Sequence, residues 1–391
     1  MTEKAAQEHS IPLWRDDRFW RIVLQVLAIV VVVSIVSLLW HNLTVNLTRQ
    51  GTEFGFNFLN TQASFAIQES LIPYDPSKDS YGRVLLAGLL NTIRAIIPGI
   101  ILATVLGIAV GVASFSENWL LRKGSEVYVE IIRNIPLLLQ LYFWYRAVFT
   151  QFPNPADRFA WFNSIFLSNR GVFMPWPALT RSLLAWVAVI VVGAIAAVLL
   201  WKWRTKLMVE SGQSGQPQMY ALSVLAIAAV LIVIFAFGWQ APTEPNPGVF
   251  RGGLRLSIEF SALLTGLVVY TAAYIAEIVR AGIQSVAKGQ WEAARSLGLK
   301  SGLVMRLVVF PQALRVMIPP LNSQYMNLAK NSSLAIAIGY VDIYSVANTT
   351  YNQSGRPVEV MLIIMATYLI INILITIVMN LINRASQLQE R

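Results

Sequence analysis

Eight stretches of this chain are apolar for long enough to cross a bilayer, and few folds can accommodate that many. They run from Ile22 to Trp40 and at about 85 to 115, 127 to 149, 183 to 201, 220 to 240, 257 to 283, 313 to 343 and 358 to 383. In hydrocarbon each backbone N–H and C=O must be satisfied inside the spanning segment, so such runs become helices. The expected fold is an all-α integral membrane protein with about eight transmembrane helices. Charged residues make up 13% of the chain, about half the share of a soluble domain. A signal peptide competes for the first run, but that run is long and no small-residue cleavage site follows it, so it reads as a retained span.

Charge sets the orientation. With the N-terminus inside, the inner segments 1 to 21, 116 to 126, 202 to 219, 284 to 312 and 384 to 391 hold 15 Lys and Arg in 87 residues. The opposite segments 41 to 84, 151 to 182, 241 to 256 and 344 to 358 hold nine in 107. Twice the density inside is what the positive-inside rule requires, and both termini are then cytoplasmic. The net charge of +10 is explained this way, because no basic, aromatic-interleaved domain is present to bind nucleic acid. Residues 41 to 84 read as an external loop, and the Pro- and aromatic-rich segment 151 to 182 reads as an interfacial loop.

One polar stretch lies between two spans on the inner side, Gln290-Trp291-Glu292-Ala293-Ala294-Arg295-Ser296-Leu297-Gly298, followed by Phe310-Pro311. Ala293 and Ala294 permit a close approach by another surface, Gly298 breaks a helix, and Pro311 cannot sit inside one without losing a hydrogen bond. Two short helices at an angle are expected, exposed as a docking surface. Trp291 and Leu297 are the expected partner-facing anchors, and Glu292 is spaced to pair with Arg295.

Ionisable residues inside spans normally face protein or water. Glu130 with Arg133, and Glu277 with Arg280, repeat an i,i+3 spacing near span ends, where helix-end snorkelling competes with a functional role. Lys330-Asn331-Ser332-Ser333 puts four polar residues in succession within an apolar span. A turn of helix cannot hide them from lipid without lining a cavity or meeting other helices. Asn and Ser can donate to a carboxylate or accept from an ammonium, and Lys330 balances negative charge, so the set suits a zwitterion. Interhelical hydrogen bonding is the equal alternative.

Glu292-Ala293-Ala294, three residues, Gly298, nine residues, Val308, one residue, then Phe310-Pro311 resembles the EAA loop of ABC importer permeases. Leu90-Asn91-Thr92-Ile93, Glu130 to Gln140, Ala276 to Ile283 with Gly289-Gln290, and Leu328 to Leu334 are similar to the polar amino-acid permeases of the histidine/glutamine group. With its added N-terminal span and hairpin, and with Gly55-Phe56-Asn57-Phe58-Leu59 and Asp79-Ser80-Tyr81-Gly82-Arg83, the chain looks most similar within that group to the longer permease subunit of general L-amino-acid importers. The likeness covers about 86 to 383, interrupted by the segment 151 to 255. It departs in having Asn331-Ser332-Ser333 where Asp-Thr-Ser is frequent, and Phe310 where Leu is frequent.

The resemblance implies a type I ABC importer permease core of five spans within residues 85 to 385, carrying an inserted hairpin. Residues 1 to 84 form a separate N-terminal tail, span and loop. It implies ATPase coupling through Trp291, Glu292, Ala293, Ala294, Gly298, Phe310 and Pro311, and a substrate path that includes Glu277, Lys330, Asn331, Ser332 and Ser333. The implied partners are a homologous permease subunit in a heterodimer, an ABC ATPase dimer, and an external (periplasmic) amino-acid-binding protein. The implied location is the bacterial cytoplasmic (inner) membrane.

No catalytic role is expected of this chain itself. Gly-Lys occurs nowhere in the sequence, so it has no phosphate-binding Gly-x4-Gly-Lys-Ser/Thr loop. ATP and Mg are expected on the partner ATPase, and no cofactor on this chain. There is no cysteine, and the two histidines, His9 and His41, stand apart at the N-terminal tail and a membrane edge, so no metal site is expected. An ion-gradient-driven amino-acid carrier is the alternative, and would need an inverted repeat that the two halves do not display.

Overall fold

The computed structural model describes residues 17–49, 51, 54–162, 164–178, 180–246 and 248–386; His9 lies outside them. Among the described residues seven helices are long and apolar enough to cross a membrane. The first, α1 (Asp17–Arg49), outruns the expected Ile22–Trp40 at both ends. Residues 41 to 49 are therefore helix and not loop. Their polar side chains bond back to the helix itself, Thr44 to the carbonyl of His41 and Thr48 to that of Thr44.

Helix α2 (Tyr81–Ala113) is continuous, but the span expected at 127 to 149 is not. It is divided into α3 (Trp119–Asn134) and α4 (Leu137–Phe143), the latter continued by a π turn over Trp144–Val148. The cause is Pro136, which pushes Ile135 into an extended conformation at φ −104° and ψ 126°. The break frees backbone carbonyls, and the buried amide of Gln140 donates to those of Ile132 and Ile135 at 2.8 and 2.9 Å. Neither half alone is long enough to span.

The segment 151 to 182, expected as an interfacial loop, contains short strands. It forms β1 (Phe159–Trp161), β2 (Ile165–Ser168), β3 (Gly171–Met174) and β4 (Trp176–Pro177), then enters the hairpin of α5 (Arg181–Ser211) and α6 (Gln216–Leu231). The return adds β5 (Trp239–Gln240), β6 (Thr243–Asn246), β7 (Val249–Arg251) and β8 (Leu254–Leu256) before α7 (Ile258–Gln284). β1, β2, β3 and β8 make an antiparallel sheet, in which Val172 faces Leu256 across β3 and β8. Phe166, Phe173 and Phe250 stack beneath it, and Arg158 lies 4.7 Å over the Phe166 ring while bridging to Glu244.

Helices α2 and α7 run side by side in the same direction. A Cβ added at Gly107 would lie 2.6 Å from Cβ of Ile275, and one at Gly111 would lie 2.7 Å from Cβ of Val279. Small residues thus let the two backbones touch. The spacing Gly107-x-x-x-Gly111 is the sequence signal for this face. Parallel packing requires an odd number of crossings between the two helices. The α5–α6 hairpin supplies an even number, so the odd crossing between α2 and α7 falls to the α3–α4 path, which is not among the seven long apolar helices of the described residues.

After α7 come α8 (Lys288–Ser296), α9 (Ser301–Val304), a π turn over Met305–Val309, and α10 (Phe310–Asn331). A short 3-10 segment, Ser332–Ile338, ends at Gly339 with φ +81°. Helices α11 (Ile343–Ser354) and α12 (Pro357–Ser386) complete the chain. The largest buried cluster joins α2, α7, α10 and α12 with Ala294 and Val304 of the α8–α9 region. By contrast α1, α5 and α6 present almost wholly exposed apolar surfaces, as lipid-facing helices do.

Candidate functional site

Gly298 closes α8 at φ +76°. Its N–H bonds the carbonyl of Arg295 at 2.9 Å and the N–H of Leu299 bonds that of Ala294 at 3.4 Å. This is a Schellman cap, which needs a residue in the left-handed region. The expected break is thus present, but the second helix is not short. From Ser301 the chain continues through the π turn into α10 as one helical path to Ile338. Pro311 falls in its first turn, just after the π turn, where a missing N–H costs least.

The two expected anchors point in opposite directions. Leu297 is 81% exposed, whereas Trp291 is half-buried and packs on the main core cluster beside Leu299, with Ala294 buried beneath. Trp291 therefore fixes α8 to the membrane helices, and Leu297 is the expected anchor that stands at the exposed surface. The free surface is Glu292, Ala293, Arg295, Ser296, Leu297 and Gly298. Glu292 and Arg295 form no ion pair, which leaves both charges available to another molecule. Val309 is buried and Phe310 half-buried at the base of the same feature.

Just inside this face, the two Glu/Arg pairs meet in one polar cavity of about 570 Å3 between the ends of α2, α3 and α7. Glu277 lies 3.8 Å from Arg133 of α3 and 3.7 Å from Arg280 of its own helix, and Arg133 sits 5.2 Å over the Tyr274 ring. Glu130 lines the same cavity. The repeated i,i+3 spacing is the sequence signal; that the pairs meet depends on tertiary packing. These side chains are about 35 to 41% exposed, so the ion pairs add less than about 1 kcal/mol to stability. Glu277→Gln is expected to move the melting temperature by no more than about 3 °C. It removes the one carboxylate in ion-pair range of Arg133 and Arg280 among the described residues and leaves only Glu126 and Glu130 as acids in the cavity lining, so if the cavity lies on a substrate path, uptake is expected to fall several-fold; unchanged uptake would exclude a role for Glu277.

Lys330 to Ser333 lie elsewhere. The α2 contacts of Gly99 with Leu264 and Leu328 put the end of α10 level with Leu264, thirteen residues along α7 from Glu277, about 20 Å away. Ser332 is fully buried and its hydroxyl donates to the carbonyl of Ala329 at 2.8 Å, while that of Ser333 donates to Lys330 at 2.7 Å. Lys330 is exposed, and it continues an exposed stripe with Ser323 and Asn327 on the same face of α10. A polar stripe on a spanning helix is not compatible with lipid. Ser323 and Asn327 were accessible from their i, i+4, i+7 spacing with Lys330, which the four-residue cluster overshadows.

The family model for the binding-protein-dependent transport system inner membrane component matches residues 192–387. The chain is 46% identical to the amino-acid ABC transporter permease protein YhdX of Escherichia coli strain K12, over 94% of each chain. It is 41% identical to the general L-amino acid transport system permease protein AapQ of Rhizobium johnstonii, over 96% of this chain and 94% of the relative. The glutamate/glutamine/aspartate/asparagine transport system permease protein BztB of Rhodobacter capsulatus is 38% identical, over 96% of each.

Proposed function

The chain belongs to the ABC importer permeases of binding-protein-dependent transport systems, and on that premise we propose that it takes amino acids from an external binding protein and couples their passage to a cytoplasmic ATPase through α8 and Gly298. The observation that carries the coupling role is the shape of that region. An exposed, partly charged knob with Leu297 at its tip is rooted in the core by Trp291 and Ala294. It leads directly into the helical path of α10. Displacement of the knob is thereby transmitted to a helix packed on α2, α7 and α12, and the site is suited to a mechanical stroke. ATP and Mg belong to the ATPase in this reading, and this chain performs no hydrolysis.

The exposed stripe of Ser323, Asn327 and Lys330 supports a second, homologous permease subunit facing α10, with the substrate path between the two. In this assignment Glu277 stands at the inner end of the path, and Lys330 with Asn331 toward the outer end. Ser332 and Ser333 shape the helix terminus more than they contact cargo, since their hydroxyl protons are already used. The charge asymmetry supports an inner-membrane orientation with both termini and α8 in the cytoplasm.

The test is an ATPase assay on the complete complex in nanodiscs, with the external binding protein and a panel of amino acids. Stimulation by liganded binding protein that requires this chain is the expected result. Amino-acid transport driven by an ion gradient with no ATPase engaged would refute the reading.

A further inference from the structure

The inserted segment builds one wall of a second polar cavity, of about 240 Å3, on the face opposite α8. Its floor is fixed. Glu69, from the loop before α2, pairs with Arg94 and accepts a hydrogen bond from the hydroxyl of Ser257 at 2.7 Å. The Arg94 guanidinium lies 4.4 Å over the Phe260 ring, and Tyr340, buried in the same wall, donates to the carbonyl of Asn91 at 3.0 Å. The opposite wall is free to bind. Arg170, at the turn between β2 and β3, and Arg255, in β8, line it with no carboxylate in ion-pair range among the described residues. Arg255 donates to the carbonyl of Arg170 at 3.2 Å and lies 5.9 Å over the Phe173 ring, contacts that leave its charge unneutralised. Glu259, at the start of α7, completes the lining, and among the described residues its carboxylate accepts one hydrogen bond, from the Tyr145 hydroxyl at 3.5 Å.

Two guanidiniums and one carboxylate facing the same small space match the two ends of a zwitterion. A guanidinium fork holds a carboxylate through two parallel bonds, and a carboxylate holds an ammonium. The volume equals about eight waters at roughly 30 Å3 each, which suits a free amino acid and is too small for a peptide. With Glu69 and Arg94 cancelling, the remaining charge of the wall is positive. We propose that this cavity is an outer receiving site, in which Arg170 and Arg255 hold the carboxylate and Glu259 the ammonium of a neutral or acidic amino acid. This rests on the importer reading above. It gives the insertion a role, since both arginines come from it.

Equilibrium binding of 14C-labelled L-glutamine, L-glutamate and L-lysine to the complete transporter in nanodiscs, without ATP or binding protein, tests the site. Wild type is expected to bind glutamine and glutamate saturably and lysine poorly. The pair Arg170→Gln with Arg255→Gln is expected to weaken binding by about tenfold or more, as loss of charged hydrogen bonds does, with the size-exclusion profile of the complex unchanged. Arg255→Lys in the Arg170 wild-type background is expected to recover only part of it, because the charge returns without the fork. Two results would overturn the site: amino-acid binding unchanged in the double variant, or retention of the binding protein lost while amino-acid binding persists. The latter would make the arginines a protein contact. In either case, uptake by the wild-type complex would leave the importer reading standing; absence of both binding and ATP-driven uptake in wild type would sink the two together.

Discussion

Gly298→Asp is expected to abolish ATP-driven uptake, to below about a tenth of wild type, while the chain still folds and inserts. Two effects separate at this position. The left-handed conformation at φ +76° costs a residue with a side chain about 1 kcal/mol, and Asp is among those that tolerate it best. A Cβ there meets nothing within 4 Å, so the fold survives. The new carboxylate, however, sits beside Leu297 on the surface assigned to the ATPase. Burying an unpaired charge there costs several kcal/mol, and about 3 kcal/mol already weakens association roughly a hundredfold. Gly298→Ala, which carries only the backbone cost, is expected to keep uptake within about fivefold of wild type. Glu292→Lys is expected to behave like the Asp variant, since the Glu292 carboxylate has no ion-pair or hydrogen-bond partner among the described residues and its charge is presented to another molecule. Uptake and ATPase activity in the same vesicles decide the matter, and full activity in both charged variants would remove the docking assignment.

Gly107→Val and Gly111→Val are expected to remove most of the folded protein from the membrane. At Gly111 a Cβ would lie 2.8 Å from the carbonyl oxygen of Ala276 as well as 2.7 Å from Cβ of Val279. These neighbours are backbone and branch-point atoms that cannot swing aside, so the helices must part. Overpacking of this kind costs about 3 kcal/mol or more, against a total stability of roughly 5 to 15 kcal/mol. Gly99→Ala is the control on the same helix. Its Cβ meets only side-chain ends, those of Leu328 at 3.4 Å and Leu264 at 4.0 Å, which can adjust. Size-exclusion profiles of the detergent-extracted protein distinguish the two cases. Equal recovery of Gly107→Val and Gly99→Ala would show that the α2–α7 contact does not hold the fold together.

The residues of the docking knob divide by the kind of information they need. The break at Gly298 is local, because a positive φ after a helix favours glycine whatever surrounds it. The direction of Trp291 is not, because α8 is polar on average and either face of it is acceptable to water. Only the position of the membrane helices beneath turns Trp291 inward and leaves Leu297 exposed.

The sequence by itself determined that the chain is a bundle of long apolar membrane helices, because bilayer thickness and the cost of an unsatisfied peptide group act on each segment separately; it missed the break of the 127 to 149 segment at Pro136. Charge counting determined the expected sidedness of the loops for the same reason: insertion reads local charge. The tertiary structure alone decided that Arg133 meets Glu277 across 144 positions, that α2 and α7 run parallel in backbone contact, and that β3 and β8 pair Val172 with Leu256, 84 positions on, beside the second cavity. It also decided that the crossing through Pro136 survives its break, because Gln140 satisfies the freed carbonyls. These are interactions between segments, where several pairings satisfy the same hydropathy and only mutual fit of side chains selects one.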